Sequence, residues 1–130
     1  MLAVVAGLAM SGVAEAAETP MSATEFEDYA TGKTLYYGVG GSEYGAEEYL
    51  SGRRVRWSLL DGKCRDGTWY QQGSEICFVY EDPADPQCWT FFRRANGIVA
   101  RFENDPFQTE LYETRQSNDP LMCLGPDIGV

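Results

Sequence analysis

Between residues 34 and 114 the sequence consists of short runs rich in aromatic and β-branched residues, separated by turn-forming residues. Within the runs apolar and polar side chains tend to alternate, as where Val55, Trp57 and Leu59 are each followed or preceded by a polar residue. A period of two is typical of strands with one buried and one solvated face. We predict eight strands, at residues 34–39, 44–50, 53–60, 68–72, 75–80, 88–94, 98–103 and 109–114.

The connections between these runs are short, which favours antiparallel pairing, because parallel strands need crossovers of about a dozen residues or more. Asp61-Gly62 and Asn96-Gly97 are dipeptides that hairpin turns prefer, since glycine adopts positive φ at little cost. We therefore predict a mainly β fold, an antiparallel up-and-down meander of about eight strands that closes into a small barrel. A two-sheet sandwich is the alternative. No internal repeat and no second domain is visible in the sequence.

One short helix is predicted before the strands, over residues 23–31. Ser22 and Glu25 have the spacing of a capping box, in which each side chain bonds to the backbone N–H of the other residue. Met21 and Phe26 occupy the positions of a hydrophobic staple, and Gly32 is placed to end the helix in the left-handed conformation. Because a helix of this length is unstable alone, it must pack against the sheet.

Residues 1–16 have features of a secretory signal peptide. An apolar run from Leu2 to Met10 is followed by Ala14-Glu15-Ala16, a small-x-small cleavage pattern, although no Lys or Arg precedes the run. The run is shorter than the roughly 20 residues that a membrane-spanning helix needs. We expect cleavage after Ala16, a single barrel-like domain over residues 17–130 and no membrane span after cleavage. The expected location is the bacterial periplasm or the extracellular medium, and an apolar N-terminal helix is the alternative.

The four cysteines, Cys64, Cys77, Cys88 and Cys123, form an even set in a small chain, which is typical of disulfides in an oxidising compartment. No Cys-x-x-Cys pair is present, which disfavours a zinc site. Strand parity places Cys77 and Cys88 on the outer face of consecutive strands, so a Cys77–Cys88 bridge is favoured and Cys64 would then pair with Cys123. Three pairings are possible, and the sequence does not choose among them.

The charge balance argues against several functions. Twenty acidic and ten basic side chains give a net charge of −10, whereas nucleic-acid binding requires clustered Lys and Arg. The chain has no histidine, which removes the commonest general base and the commonest zinc ligand. We expect no nucleic-acid partner, no metal and no cofactor.

Catalytic groups are difficult to assemble from this sequence. No histidine is available to activate a Ser or Thr, and no nucleophile-elbow or phosphate-loop motif occurs. Glu47 and Glu48 are adjacent in a predicted strand and so point to opposite faces, and we interpret them as part of a solvated acidic surface. The loop containing Asp82 and Asp85 supplies fewer oxygens than calcium requires. We therefore predict that the protein is not an enzyme.

Aromatic residues make up 13% of the chain, enough either to fill a small solid core or to line a ligand pocket inside the barrel. The shortness of the strands favours the filled core. The candidate binding residues are Trp57 and Trp69, together with the cationic cluster Arg53, Arg54 and Arg56. We place these arginines at the barrel rim, where they would receive an anionic group or, more simply, pair with neighbouring carboxylates.

Five blocks carry a resemblance when taken in order: Gly32-Lys33-Thr34-Leu35, Cys64-Arg65-Asp66-Gly67-Thr68-Trp69, Ile76-Cys77-Phe78-Val79-Tyr80, Cys88-Trp89 and Cys123-Leu124-Gly125-Pro126. Together they resemble small exported proteins of alphaproteobacteria that form an uncharacterised domain-of-unknown-function family. The resemblance covers nearly all of the chain after residue 16. It implies export, a β-rich fold and disulfides, and it assigns no site residues. The Gly-x-Trp block of lipocalins lies on their first strand and here falls near the fourth, so the chain is lipocalin-like in architecture only.

Three functions follow as hypotheses. The first is a non-catalytic exported binding module, inhibitor-like or envelope-associated, whose partner is a protein or an envelope component. The second is a small-molecule binder that uses an aromatic-lined barrel interior. The third, less favoured, is a carboxylate-dependent hydrolase. A cavity inside the barrel would favour the second hypothesis, and a solid core with an exposed apolar patch would favour the first.

Overall fold

The computed structural model describes residues 18–124, together with Gly7. The expected signal peptide and its cleavage site lie outside the described residues, except for Gly7. Within these residues, one helix and a 3₁₀ turn at Ser51–Arg53 accompany eight strands. The elements are α1 (Ala23–Ala30), β1 (Thr34–Val39), β2 (Ser42–Leu50), β3 (Arg54–Ser58), β4 (Arg65–Gln72), β5 (Glu75–Val79), β6 (Gln87–Arg94), β7 (Gly97–Phe102) and β8 (Glu110–Ser117).

The eight strands form a closed antiparallel barrel in which each strand pairs with the next along the chain. The last strand, β8, pairs with β1, with Thr34 opposite Ser117 and Gly38 opposite Tyr112. Closure leaves no free sheet edge to pair with another chain. The predicted fold class, a short helix followed by an up-and-down barrel, is confirmed, and the sandwich alternative does not occur.

The helix α1 begins and ends as its sequence predicts. The Ser22 Oγ accepts a hydrogen bond from the Glu25 N–H at 3.1 Å, and the Ser22 N–H donates to Glu25 Oε1 at 3.2 Å. Gly32 follows the helix with φ of +86°, a conformation that glycine adopts without strain. Its N–H donates to the carbonyl oxygen of Tyr49 at 2.8 Å, which fixes the end of α1 against β2.

The apolar face of α1 closes one end of the barrel. Phe26 is fully buried, and its ring centroid lies 5.4 Å from those of Tyr49 and Trp69 and 4.3 Å from that of Phe91. These rings come from β2, β4 and β6, so a single side chain contacts strands around the barrel. Burial of a phenylalanine is worth roughly 1.5–3 kcal/mol, which supplies much of the stability that so short a helix lacks alone.

Two disulfides are present, as predicted, and they join Cys77 to Cys88 and Cys64 to Cys123. Cys77 and Cys88 lie directly opposite each other in the β5–β6 ladder, on the face that strand parity assigned to them. With all four cysteines bonded, the protein fits an oxidising setting such as the periplasm or the extracellular medium. None of the helical segments in the described ranges is long and apolar enough to cross a membrane.

Residues 118–124, here called the C-terminal strap, return along the outside of the barrel. The Thr34 hydroxyl donates to the carbonyl oxygen of Asp119 at 2.8 Å. Further along, the Leu121 N–H donates to Glu48 Oε2 at 3.3 Å. The Cys64–Cys123 disulfide then fastens the strap to the β3–β4 connection. The strap thus covers the outer face of β2.

Candidate functional site

The two ends of the barrel differ in the length of their connections. In an up-and-down barrel alternate connections lie at the same end, so residues 51–53, 73–74 and 95–96 share the α1 end. The longer connections 59–64, 80–86 and 103–109 surround the opposite end, here called the mouth. The short turns and α1 close one end, whereas the mouth is left open.

A cavity of about 720 Å³ extends inward from the mouth, within the range of about 300–1,000 Å³ that is usual for small-molecule sites. Its walls are largely aromatic and include Tyr37, Trp57, Tyr80, Trp89 and Phe102. The filled-core interpretation is therefore wrong for this half of the barrel. The filled-core interpretation holds at the α1 end, because the side chains of α1 fill only the end of the barrel where the helix packs.

Two glycines give the aromatic walls the space they occupy. A Cβ atom at Gly45 would lie 2.5 Å from the Trp57 ring, and one at Gly67 would lie 2.5 Å from the Val79 carbonyl oxygen and 2.8 Å from the Tyr80 ring. Glycine inside a strand often marks such a close approach. These glycines leave room for the rings of Trp57 and Tyr80, which line the cavity.

Glu47 is the most unusual residue of the cavity, because it is a carboxyl group with only 3% of its surface exposed. The Tyr80 hydroxyl donates to Glu47 Oε1 at 2.8 Å, whereas Glu47 Oε2 has no hydrogen-bond partner. Burial raises the pKa of Glu47 from 4.5 to about 8, and the hydrogen bond from Tyr80 opposes this rise. At neutral pH the group is therefore mainly protonated in the free protein.

The interpretation of Glu47 and Glu48 as solvated surface is wrong, since both are buried. Their side chains do point to opposite faces, as predicted. Glu47 lines the cavity, while Glu48 lies on the outer face beneath the C-terminal strap and accepts the hydrogen bond from Leu121. The closed barrel and the strap cover the two faces separately.

Two tyrosines form the deepest polar contact of the cavity. The hydroxyls of Tyr37 and Tyr49 are 2.8 Å apart, and one donates to the other. Burial raises the pKa of Tyr37 and that of Tyr49 well above the usual value. Both phenols are therefore neutral near pH 7, and they offer hydrogen bonds without charge.

Charged groups are concentrated near the mouth. The Arg65 guanidinium lies 5.2 Å from the centroid of the Tyr80 ring and its Nε is 3.6 Å from Glu81 Oε1. Asp105 Oδ2 accepts a hydrogen bond from the Thr109 hydroxyl at 3.0 Å, whereas Asp105 Oδ1 is buried without a partner. Asp85 also lines the cavity. The described lining therefore contains three acidic residues and one basic residue.

Of the two tryptophans predicted to bind, only Trp57 lines the cavity. Trp69 packs against Phe26 at the closed end, so its assignment to a binding site is wrong. The Arg53 guanidinium covers the Trp69 ring at 4.4 Å and pairs with Glu27 of α1 at 3.4 Å. Arg53 thus stabilises the contact between α1 and the barrel and does not lie at the mouth.

The other two arginines of the predicted cluster lie on the outer surface. Arg54 Nε donates to the carbonyl oxygen of Ser51 at 3.1 Å, and Arg56 Nε donates to Asp66 Oδ1 at 2.7 Å. Both alternate along β3 with Val55 and Trp57, which face inward, so both must face outward. A cationic rim built from Arg53, Arg54 and Arg56 is therefore wrong. Pairing with neighbouring carboxylates holds for Arg53 and Arg56.

A possible metal-ligand cluster brings Glu75 close to Cys77 and Cys88. The two sulfur atoms are bonded to each other, however, so neither is a thiolate able to bind a metal. In the loop after β5, Asp82 Oδ1 accepts a hydrogen bond from the Ala84 N–H at 2.9 Å. That carboxyl stabilises its own turn.

The candidate binding residues named from the sequence do not include Glu47, Tyr80, Arg65 or Asp105, which line the cavity. For Glu47 a usable signal existed: two consecutive glutamates in a strand of a closed barrel require one of them to face the interior. For Asp105 no signal existed, because a loop residue has no parity. Arg65 was placed outside any strand by the prediction, which started β4 at residue 68. In the structure β4 starts three residues earlier, at Arg65.

Comparison of the chain with protein-family models, with curated proteins and with solved structures gave no match. Its function is therefore argued from the geometry of the cavity.

Proposed function

We propose that this protein binds a small, largely apolar organic molecule in the barrel cavity and acts by binding, without catalysing a reaction. One observation carries the proposal: a cavity of about 720 Å³ with aromatic walls that also contains a buried carboxyl oxygen without a partner. Protein interiors are normally packed as densely as organic crystals, so a space of this size inside a small barrel is the feature to expect of a ligand site.

The lining has the composition that small-molecule sites share, aromatic walls with a few placed polar groups. The aromatic walls supply contact area, and the hydroxyls of Tyr37 and Tyr49 and the carboxyl of Glu47 fix orientation. Binding alone accounts for each of these groups, so the proposal needs no catalytic step.

The proposed setting is the periplasm of a bacterium or its extracellular medium, following export and removal of residues 1–16. The support is the apolar N-terminal run with its small-x-small pattern and the two disulfides. Edman sequencing of the protein isolated from its host tests this: a chain that begins near Ala17 supports export. A cytoplasmic protein that retains Met1 contradicts it.

A partner protein at the mouth is the second candidate function. Apolar side chains on the mouth connections are exposed, with Phe107 at 89% and Leu59 at 54%. Exposed apolar residues that form a contiguous patch mark interaction sites, and a partner bound at the mouth would cover these side chains. The variant Phe107→Ser separates the candidates, because it would weaken a protein complex formed at the mouth and leave small-molecule affinity within twofold.

A neutral fluorescent probe tests the cavity directly. N-phenyl-1-naphthylamine brightens in apolar surroundings, and we expect it to bind the wild-type protein in a 1:1 ratio. Ala100 is buried in β7, between Phe91 of β6 and Leu111 of β8, and it lines the cavity. The variant Ala100→Trp should therefore occupy part of the cavity and weaken probe binding at least tenfold.

The matched control is Ala95→Trp, which places the same side chain in the exposed β6–β7 turn and should bind the probe as the wild type does. Near-ultraviolet circular dichroism checks that each variant is folded. If Ala100→Trp fails to fold, Thr109→Trp at the mouth makes the same test from an exposed position. Equal affinity in the wild type and a folded, cavity-filled variant would overturn the proposal, as would no binding by the wild type.

A further inference from the structure

We infer that the ligand of the barrel cavity is an organic cation, an amine carried on an aromatic or apolar body, whose ammonium group binds to Glu47. The inference rests on the proposed function, because it names the ligand class of that cavity. It is argued from the unpaired oxygens of the lining, from the charges around them and from the rings that surround them.

Within residues 18–124, two buried side-chain oxygens have no hydrogen-bond partner, Glu47 Oε2 and Asp105 Oδ1. Both belong to carboxyl groups, and both residues line the same cavity. A buried polar atom without a partner is destabilising, and more so when the group is charged. Ionised carboxylates only accept hydrogen bonds, and an ammonium group only donates them. Once Glu47 is ionised, an amine ligand supplies the donor that either oxygen lacks.

The charges of the cavity lining disfavour an anionic ligand. An anionic ligand would bring its charge near Asp85 and Asp105, and like charges repel. Arg65 is the single basic residue that the described part of the chain contributes to the lining. It is already engaged by the Tyr80 ring and Glu81. Arg65 therefore does not turn the mouth into an anion site.

The aromatic walls suit a cation as well as an apolar body. Ring faces attract ammonium groups, and the attraction is stronger when the pair is shielded from water. Trp57 lies directly opposite Glu47 in the β2–β3 ladder, and the Tyr80 hydroxyl is bonded to the Glu47 carboxyl. An ammonium group on Glu47 is thus placed among indole and phenol rings.

Proton linkage gives this inference its own signature. The titratable or charged groups that share the cavity with Glu47 are Tyr37, Tyr44, Tyr49, Tyr80, Arg65, Asp85 and Asp105. The phenols of Tyr37, Tyr49 and Tyr80 remain neutral, since burial raises the pKa of each. Glu113 of β8 accepts a hydrogen bond from the Tyr29 hydroxyl of α1. The pKa of Glu47 in the protein without ligand is about 8. At lower pH, binding of an ammonium group therefore requires Glu47 to release its proton to solvent.

Affinity for an amine should therefore rise with pH by close to tenfold per unit until Glu47 is ionised near pH 8. A neutral ligand expels no proton, so its affinity should change little over the same range. This difference in slope separates charge recognition from simple filling of an apolar cavity.

The test compares 2-(1-naphthyl)ethylamine with 2-(1-naphthyl)ethanol by isothermal titration calorimetry at pH 6.5 and pH 8. The two molecules share one ring system, and the aliphatic amine stays protonated at both pH values, as lysine does. We expect the amine to bind the wild type about tenfold more tightly at pH 8 than at pH 6.5. At pH 8 it should also bind about tenfold more tightly than the alcohol, the usual gain for a charge-assisted hydrogen bond.

The variant Glu47→Gln keeps the shape of the side chain and removes its charge, so it should lose both the preference for the amine and the pH dependence. The matched control Glu48→Gln changes the neighbouring residue on the outer face of β2 and should retain both. An amine that binds no more tightly than the alcohol, or equally well to Glu47→Gln, overturns the inference.

The two proposals fail separately. If N-phenyl-1-naphthylamine binds and is excluded by Ala100→Trp, but the amine shows no preference, the cavity stands as a binding site and its cation specificity is wrong. If neither the probe nor either naphthyl compound binds, the proposed function itself is wrong.

Discussion

The Tyr80 hydroxyl donates a hydrogen bond to Glu47 Oε1 at 2.8 Å, joining two residues that are 33 positions apart in the sequence. This contact stabilises the ionised carboxylate, yet burial has the larger effect and raises the pKa of Glu47 to about 8. The barrel therefore holds a carboxylic acid that is largely neutral under ordinary conditions. That state has consequences for stability that are measurable without any ligand.

Stability should fall as pH rises from about 4.5 to 8. In this window the folded protein keeps the Glu47 proton and the unfolded chain has lost it, so each step up in pH favours the unfolded chain. Between pH 5.5 and pH 8 we expect the wild type to lose about 3 kcal/mol of unfolding free energy relative to Glu47→Gln. Urea unfolding of both proteins at the two pH values measures this difference.

The Glu48→Gln variant controls for removal of an acidic residue from the same strand, and it should keep the wild-type dependence on pH. If the unfolding free energies of the wild type and Glu47→Gln changed with pH by the same amount, Glu47 would not be neutral in the folded protein.

Removing the Phe26 ring should destabilise the protein severely, because that ring joins α1 to strands around the barrel. We expect Phe26→Ala to lower the unfolding free energy by about 3–5 kcal/mol, the usual cost for a buried phenylalanine. The matched control is Phe107→Ala at the mouth, where 89% of the side chain is exposed, and it should change stability by less than about 0.5 kcal/mol. Similar losses for the two variants in urea unfolding would show that α1 contributes little.

The capping box of α1 should contribute a smaller, measurable amount. In Ser22→Ala the Glu25 N–H loses its acceptor, which should cost about 1 kcal/mol. Thr24 lies in the exposed first turn of α1, and Thr24→Ala should be neutral or slightly stabilising, because alanine is the better helix former. Thermal unfolding compares the two, and a Ser22→Ala variant as stable as Thr24→Ala would contradict the predicted role of the box.

The Cys64–Cys123 disulfide closes a span of 59 residues, and the Cys77–Cys88 disulfide closes one of 11. Loop-closure entropy then predicts a loss of about 4 kcal/mol for Cys64→Ala/Cys123→Ala and about 3 kcal/mol for Cys77→Ala/Cys88→Ala. Urea unfolding of the double variants measures both losses. A loss below about 1 kcal/mol for the first pair would show that the strap is held by its hydrogen bonds without help from the disulfide.

The fold was predictable because its determinants are local. Alternation identified all eight strands, and strand parity put Cys77 and Cys88 on the same outer face, where they are bonded. Errors were confined to strand ends: β3 ends at Ser58 and not at residue 60, because Leu60 has φ of +64° and cannot continue the ladder.

The site was less predictable because its shape depends on which end α1 closes. Nothing local to Trp69 distinguishes it from Trp57, yet α1 packs on the first and leaves the second facing the cavity. The arginines were misplaced for the opposite reason. Their clustering in sequence suggested a shared role, whereas parity sends Arg54 and Arg56 outward and Arg53 stabilises the α1 end.

The disulfide between the strap and the β3–β4 connection also determines how the molecule responds to proteases. The five strands β4 to β8 lie between Cys64 and Cys123, so a single peptide-bond cleavage anywhere among them leaves the two fragments covalently joined. The fragments would also remain paired to their neighbours in the closed sheet. A protein cleaved once at Phe107, the most exposed aromatic residue of the mouth, would therefore migrate as an intact chain until its disulfides were reduced.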